Sequence, residues 1–228
     1  MSVQAEDQAG SDTLSIDVVS DVVCPWCYIG QAQLDDAIAA WRERNADRPA
    51  PRVRWHPFQL NPAMPEAGMS RGLYLDEKFG SRAAYPVERL QRAAETARIE
   101  LRLERIARQP NTLRAHALLG VAAADDAATK GARQHMLARA MFRAYFVDGL
   151  DVGEPAVLHA LGSAAGLPED RIEAALRPDA LRATAAADKR VRDSGIDGVP
   201  FFVVGGRVAV SGAAGTEALL EAFGKVAS

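Results

Sequence analysis

Apolar and polar positions divide the chain into segments of different period. Leu14 to Ser20 (LSIDVVS) alternates, and Val22 and Val23 carry the apolar run to Cys24, which reads as a strand ending there. From Pro25 onward Ile29, Leu34, Ala37, Ile38 and Trp41 recur at helical spacing, predicting an amphipathic helix to about Arg44. Pro25 suits the first turn, where its missing N–H leaves no helical bond unmade. Residues 51–58 (PRVRWHPF) predict a second strand, with Pro57 implying an edge or a bulge. The stretch from Gln59 to Ser81 holds Pro62, Pro65, Gly68 and Gly72 and reads mainly as loop.

The middle of the chain is helical. Helices are expected near Pro86–Ala97, Thr112–Asp126, Ala132–Val147, Glu154–Ala165, Pro168–Leu176 and Asp179–Ser194. Asn111 can cap the second of these, and Gly149, Gly166 and Gly195 stand where helices stop. Phe142, Tyr145 and Phe146 make an aromatic stripe that reads as core. Asp197-Gly198-Val199-Pro200 signals a turn, followed by Phe201–Val204 and, across Gly205-Gly206, Arg207–Val210. That is a hairpin with a tight primed turn. Thr216–Phe223 closes the chain as a helix. The order is β-α-β, a long helical block, then α-β-β-α. One sheet fed from both chain ends follows, with the block as a second subdomain.

Composition narrows the function classes. The 228 residues are 48% hydrophobic and 25% charged, ordinary for a globular protein of one or two domains. A formal net charge of −3 provides no basic footprint for nucleic acid and no polybasic membrane patch. Uncharged runs fall short of the roughly 18 apolar residues of a membrane span. The first residues, MSVQAEDQAGSDTLS, lack a basic n-region and an apolar core, so no secretory signal is visible and a cytoplasmic location is expected.

The chemistry concentrates in the two cysteines, Cys24 and Cys27, which stand as C-P-W-C at the strand-to-helix junction. Two cysteines cannot build a disulfide scaffold, and in a reducing compartment a close pair is suited to cycling rather than stapling. A thiol attacks as thiolate, and a helix N-terminus stabilises an anion. Cys24 sits at the helix mouth and Cys27 one turn inside, so spacing assigns Cys24 as nucleophile and Cys27 as resolving thiol. Trp26 brings no positive charge, so Cys24 is expected to be less acidic than where a His occupies that position. His56, His116, His135 and His159 share no ligand spacing; no metal site is expected, and each reads as structural or surface.

Strand, Cys-Pro-Trp-Cys, helix, helical insertion and a late Gly-Val-Pro together resemble the DsbA family of thioredoxin-fold oxidoreductases. Within it the chain is most similar to the FrnE-like branch, the polyketide-biosynthesis dithiol-disulfide isomerases. The resembling stretches are 20–30 (SDVVCPWCYIG), 57–62 (PFQLNP), 111–116 (NTLRAH), 142–152 (FRAYFVDGLDV) and 195–215 (GIDGVPFFVVGGRVAVSGAAG). The resemblance implies an α/β thioredoxin-like fold interrupted by an all-α helical insertion. The thioredoxin-like domain would comprise residues 12–65 plus 184–228, and the insertion 66–183. It also implies a cis peptide at Val199–Pro200, with Val199 offering its backbone to a substrate. A groove around Trp26, Pro200 and Phe58–Asn61 would then receive a disulfide- or thiol-bearing protein or small molecule.

The same branch holds the 2-hydroxychromene-2-carboxylate isomerases and kappa-class glutathione transferases, which carry Ser where Cys24 stands. This chain keeps both cysteines and has Gly212-Ala213-Ala214 where those enzymes grip glutathione with polar residues. The leading expectation is a thiol-disulfide oxidoreductase, a dithiol-disulfide isomerase or reductase working through a mixed disulfide, with no resident cofactor. One alternative is a glutathione-dependent isomerase or transferase acting on a small aromatic or polyketide-like substrate, with glutathione as co-substrate. The other is a non-catalytic peptide-binding or chaperone module. Monomer and homodimer are both open.

Overall fold

A computed structural model describes residues 13–80, 87–125 and 132–227. The expectations for residues 1–12, Pro86 and Asp126 lie outside them. Strand β1 (Ser15–Ser20) leads through Asp21–Cys24 into helix α1 (Pro25–Arg44), and β2 (Arg52–Pro57) returns parallel to β1. Near the other end of the chain, β5 (Phe201–Val204) and β6 (Val208–Ser211) complete a four-stranded sheet of order β2-β1-β5-β6. A right-twisted strand followed by a helix and a parallel strand is the βαβ unit that the sequence order predicts.

Register positions the site. β5 runs antiparallel to β1 with Val19 opposite Phe201, so Pro200 lies level with the end of β1, where the Cys-Pro-Trp-Cys loop begins. The hairpin between β5 and β6 turns on Gly205 and Gly206, at φ +57° and +65°, as a primed turn requires. Gly205 also lacks a side chain because a Cβ there would stand 2.3 Å from Val226 Cγ1. Helix α9 (Thr216–Ala227) packs on α1 and on this hairpin, with Trp41 meeting Phe223 edge to face. It runs one turn past Phe223, carrying Val226 onto Gly205.

Between the halves lies the helical block: α3 (Val87–Thr96), α4 (Leu113–Ala124), α5 (Ala132–Phe146), α6 (Pro155–Ala164), α7 (Glu169–Leu176) and α8 (Pro178–Asp193). Helices α4, α5 and α8 pack against β2. The stripe on α5 is core: Phe142, Tyr145 and Phe146 are buried, and Tyr28 of α1 stacks on Phe142 and Phe146 at 5.7 and 5.4 Å between ring centres. Asn111 accepts the Leu113 N–H at 2.9 Å with its side chain, while Thr112 holds the N-cap position of α4.

The stretch from Gln59 to Ser81 is a correction. It contains a short strand β3 (Met69–Ser70), paired antiparallel with β4 (Arg108–Gln109), and helix α2 (Arg71–Phe79). The four Pro and Gly residues suggest loop, but Ser70 caps the helix by accepting the Leu73 N–H, and Tyr74 is buried. Gly72 is tolerated because tertiary packing outweighs its propensity cost of about 1 kcal/mol. Among the described residues no helix is long and apolar enough to cross a membrane.

Candidate functional site

Cys24 is the N-cap residue of α1, with extended backbone (φ −88°, ψ 115°) and Pro25 in the first turn. Its carbonyl accepts the N–H groups of Cys27 and Tyr28 at 3.0 and 3.1 Å, closing that turn. No acidic residue occupies the first turn to oppose a negative sulfur there. The Cys24 thiol faces the Val199 carbonyl oxygen at 3.9 Å. The Val199–Pro200 peptide is cis. Pro200 lies tight against α1: a Cβ on Gly30 would stand 3.0 Å from Pro200 Cγ and 3.2 Å from Phe202 Cζ, so glycine permits the approach.

The two cysteines, both free thiols, have unlike surroundings. Cys24 is 4% exposed beside the partly exposed Pro25 and Trp26, whereas Cys27 has no exposure at all. Burial, reinforced by the hydrogen bond and charge of Cys24 next to it, pushes the Cys27 thiol well above its ordinary value. The Ser20 hydroxyl and the Asp21 backbone oppose this more weakly. The structure thus gathers Cys24, Cys27, Pro25, Trp26, Val199 and Pro200 at one end of the sheet.

Several residues of this neighbourhood escape sequence reasoning. Asp21 is buried in the loop before Cys24; its carbonyl accepts the Cys24 N–H at 3.0 Å. Its carboxylate accepts the Leu60 N–H at 2.7 Å and faces His116 Nε2 at 3.3 Å, with His116 equally buried. The Gln59 N–H donates to Asp188 at 2.8 Å, and the Gln59 amide to Asn111 at 3.3 Å. Arg192 of α8 bonds both Asp188 and the Gln59 carbonyl and lies 4.0 Å over the Phe58 ring. Residues 58–60 are therefore pinned by the motif loop, the segment before α4 and helix α8. The stretches PFQLNP and NTLRAH, far apart in sequence, meet here. Arg89 of α3 places its guanidinium 5.1 Å from the Trp26 ring centre, bringing a cation beside a motif that has none of its own.

The other histidines are paired with carboxylates: His56 with Asp17 and His135 with Asp35, both at 2.7 Å, and the half-buried His159 with Glu169 at 3.7 Å. They hold structure, as expected. His116 differs in reaching the motif loop.

The DSBA-like thioredoxin domain family matches residues 15–224, from β1 into α9. The chain belongs to that family. The Bacillus subtilis protein YwbO is 26% identical over 221 residues, covering 92% of this chain and 96% of its own. A probable DsbA oxidoreductase from Streptomyces coelicolor superposes with a TM-score of 0.76 at 27% identity, over 93% of this chain and 89% of that one. The cytosolic disulfide reductase DsbM from Pseudomonas aeruginosa, determined with GSH, has a TM-score of 0.60 at 21% identity, covering 93% and 95%; that likeness carries the fold alone. Membership in the DsbA-like family and an adjacent Cys-X-X-Cys make this a thiol-disulfide oxidoreductase.

Proposed function

We propose that Cys24 attacks a substrate disulfide and that Cys27 resolves the mixed disulfide, in the direction of reduction or isomerisation in the cytoplasm. The observation that carries this reading is the asymmetry of the pair: one sulfur at a helix N-cap, the other buried one turn in. As Cys24 attacks, its charge passes to the leaving substrate sulfur, which departs as a thiolate and takes a proton from water. The Coulombic penalty that Cys24 imposes on Cys27 then disappears, so Cys27 ionises more easily once a mixed disulfide has formed. Its thiolate attacks the Cys24 sulfur, forming the Cys24–Cys27 disulfide and releasing the second substrate thiolate. In this reading the Val199 carbonyl lies beside the substrate chain, an edge for strand addition, and Trp26 with Pro200 forms the apolar wall.

Insulin reduction by dithiothreitol tests it: the native protein accelerates precipitation, and Cys24→Ser returns the rate to background. Retained activity in that variant would remove Cys24 from the mechanism. The reduction potential of the pair decides direction, since about −270 mV marks a reductant and about −120 mV an oxidant. The FrnE-like branch fits this reading through the stretches quoted above. The DsbM structure, with its bound GSH, favours glutathione as the small thiol that recycles Cys24–Cys27. Saturable glutathione binding to Cys27→Ala is the expected result, and none at millimolar concentration would eliminate that co-substrate.

A further inference from the structure

Two hydrogen-bond donors stand at the end of β1, and both face the Cys27 sulfur. One is the Ser20 hydroxyl; the other is the Asp21 backbone, whose N–H is the group able to favour a negative charge there. Ser20 is 3% exposed, Asp21 1%, and Cys27 not at all. Among the described residues the Ser20 hydroxyl bonds no nitrogen or oxygen, so the sulfur is the partner it serves.

The backbone that carries these donors is fixed from several sides. The Ser20 carbonyl accepts the Phe58 N–H at 3.1 Å, and the Asp21 carbonyl accepts the Cys24 N–H at 3.0 Å. The Asp21 carboxylate accepts the Leu60 N–H at 2.7 Å and pairs with His116 at 3.3 Å. Donors held in place before a charge develops stabilise it without reorganising, as in an oxyanion hole. Cys27 needs them more than Cys24 does. Cys24 has the open N-terminus of α1, whereas the Cys27 N–H is already spent on the Cys24 carbonyl.

We propose that Ser20 is a catalytic residue of the resolving step: its hydroxyl, together with the Asp21 N–H, donates to the Cys27 sulfur as that sulfur becomes negative and attacks the Cys24–substrate disulfide. The inference rests on Cys27 being the resolving thiol. In that step the Cys27 proton goes to the medium and the sulfur's electron pair forms the bond to Cys24. The bond from Cys24 to the substrate breaks, its pair leaving on the substrate sulfur. Ser20 keeps its own proton throughout.

A pH jump isolates this step. The mixed disulfide of Cys24 with thionitrobenzoate is formed at low pH, where Cys27 stays protonated, and the released aryl thiolate is followed after the jump. Losing a hydrogen bond to a charged sulfur should move the midpoint of the pH–rate profile of Ser20→Ala up by about one pH unit. A thiolate of higher pKa is also the stronger nucleophile, so resolution should be about three-fold slower near neutrality yet faster on the alkaline plateau. Ser20→Thr keeps the hydroxyl, and its extra methyl has room because Ser20 borders a cavity of about 300 Å³; it should follow the native profile. An unchanged profile in Ser20→Ala, or equal slowing at every pH, would overturn the role of Ser20 alone. A native mixed disulfide as inert after the jump as that of Cys27→Ala would remove the resolving role of Cys27, and this inference with it. If Ser20→Ala does not fold, the Cys24→Ser protein decides: its Asp21 amide proton should move downfield as Cys27 ionises, and a resonance that stays put would overturn the proposal.

Discussion

The two edges of the central sheet are finished in different ways. At the β2 edge, the backbone N–H and C=O of Trp55 are both taken by the side-chain amide of Gln134, each at 2.9 Å, with Gln134 buried on α5. The Trp55 indole N–H then donates to His135 at 3.2 Å, and His135 reaches Asp35 of α1. One amide acts as a substitute strand, and its neighbours tie that edge to the redox helix. At the β6 edge, residues alternate between half-buried and exposed, and Ala209 and Ser211 face solvent. An unpaired edge invites association, and blocking it is the usual remedy. Here the blocked edge is the one under the helical block, next to the motif loop. Side-chain hydrogen bonds are thus concentrated at the β2 edge, and they extend from it to the helix that carries the Cys-Pro-Trp-Cys motif.

The largest expected effect tests the blocked edge. Gln134→Leu strands two buried backbone groups at about 1–3 kcal/mol each, so urea unfolding should register a loss of about 2–6 kcal/mol. A loss below about 1 kcal/mol would mean that water replaces the amide and the edge is not sealed. Alkaline pH comes next. Because burial and Cys24 raise the Cys27 thiol, the folded protein holds that proton longer than the unfolded chain does. Its stabilising contribution is whole below about pH 8.5 and falls by up to about 1.4 kcal/mol per pH unit above it. Cys27→Ala should flatten that slope in the reduced protein, and an unchanged slope would assign it elsewhere. Gly30→Ala sets a Cβ against Pro200 and the buried Phe202; overpacking of about 1–3 kcal/mol is partly offset by about 1 kcal/mol of helix propensity. A net loss of up to about 2 kcal/mol, with slowed disulfide exchange, is the expected result. At the open edge, Ala209→Lys should change stability by no more than about 0.5 kcal/mol. A larger loss there would erase the contrast between the edges.

What could be read from sequence follows the range of the interaction. The Cys-Pro-Trp-Cys junction is local: strand period, Pro25 and helical period all fall within one stretch, and the N-cap position of Cys24 follows from them. The Gly205-Gly206 turn is likewise encoded in adjacent residues. The Asp21–His116 contact joins positions 95 apart, and Gln134 meets Trp55 across 79. No local pattern announces such pairs, because each is chosen by how the helical block docks. Helix α2 was hidden for another reason. Pro62, Pro65 and Gly68 precede the helix and Gly72 lies in its first turn, so they mask its start, and the Ser70 cap four residues before Tyr74 is the available clue.

The thiol of Cys24 finds the Val199 carbonyl 175 positions further along the chain. A ribosome adding roughly 5–20 residues per second takes about ten to thirty seconds to cover that interval. Throughout it, the emerging polypeptide carries a dithiol whose covering strand has not been made. Newly synthesised copies are thus most open to oxidation or to capture by other thiols before translation ends, and the last hairpin to appear closes that window.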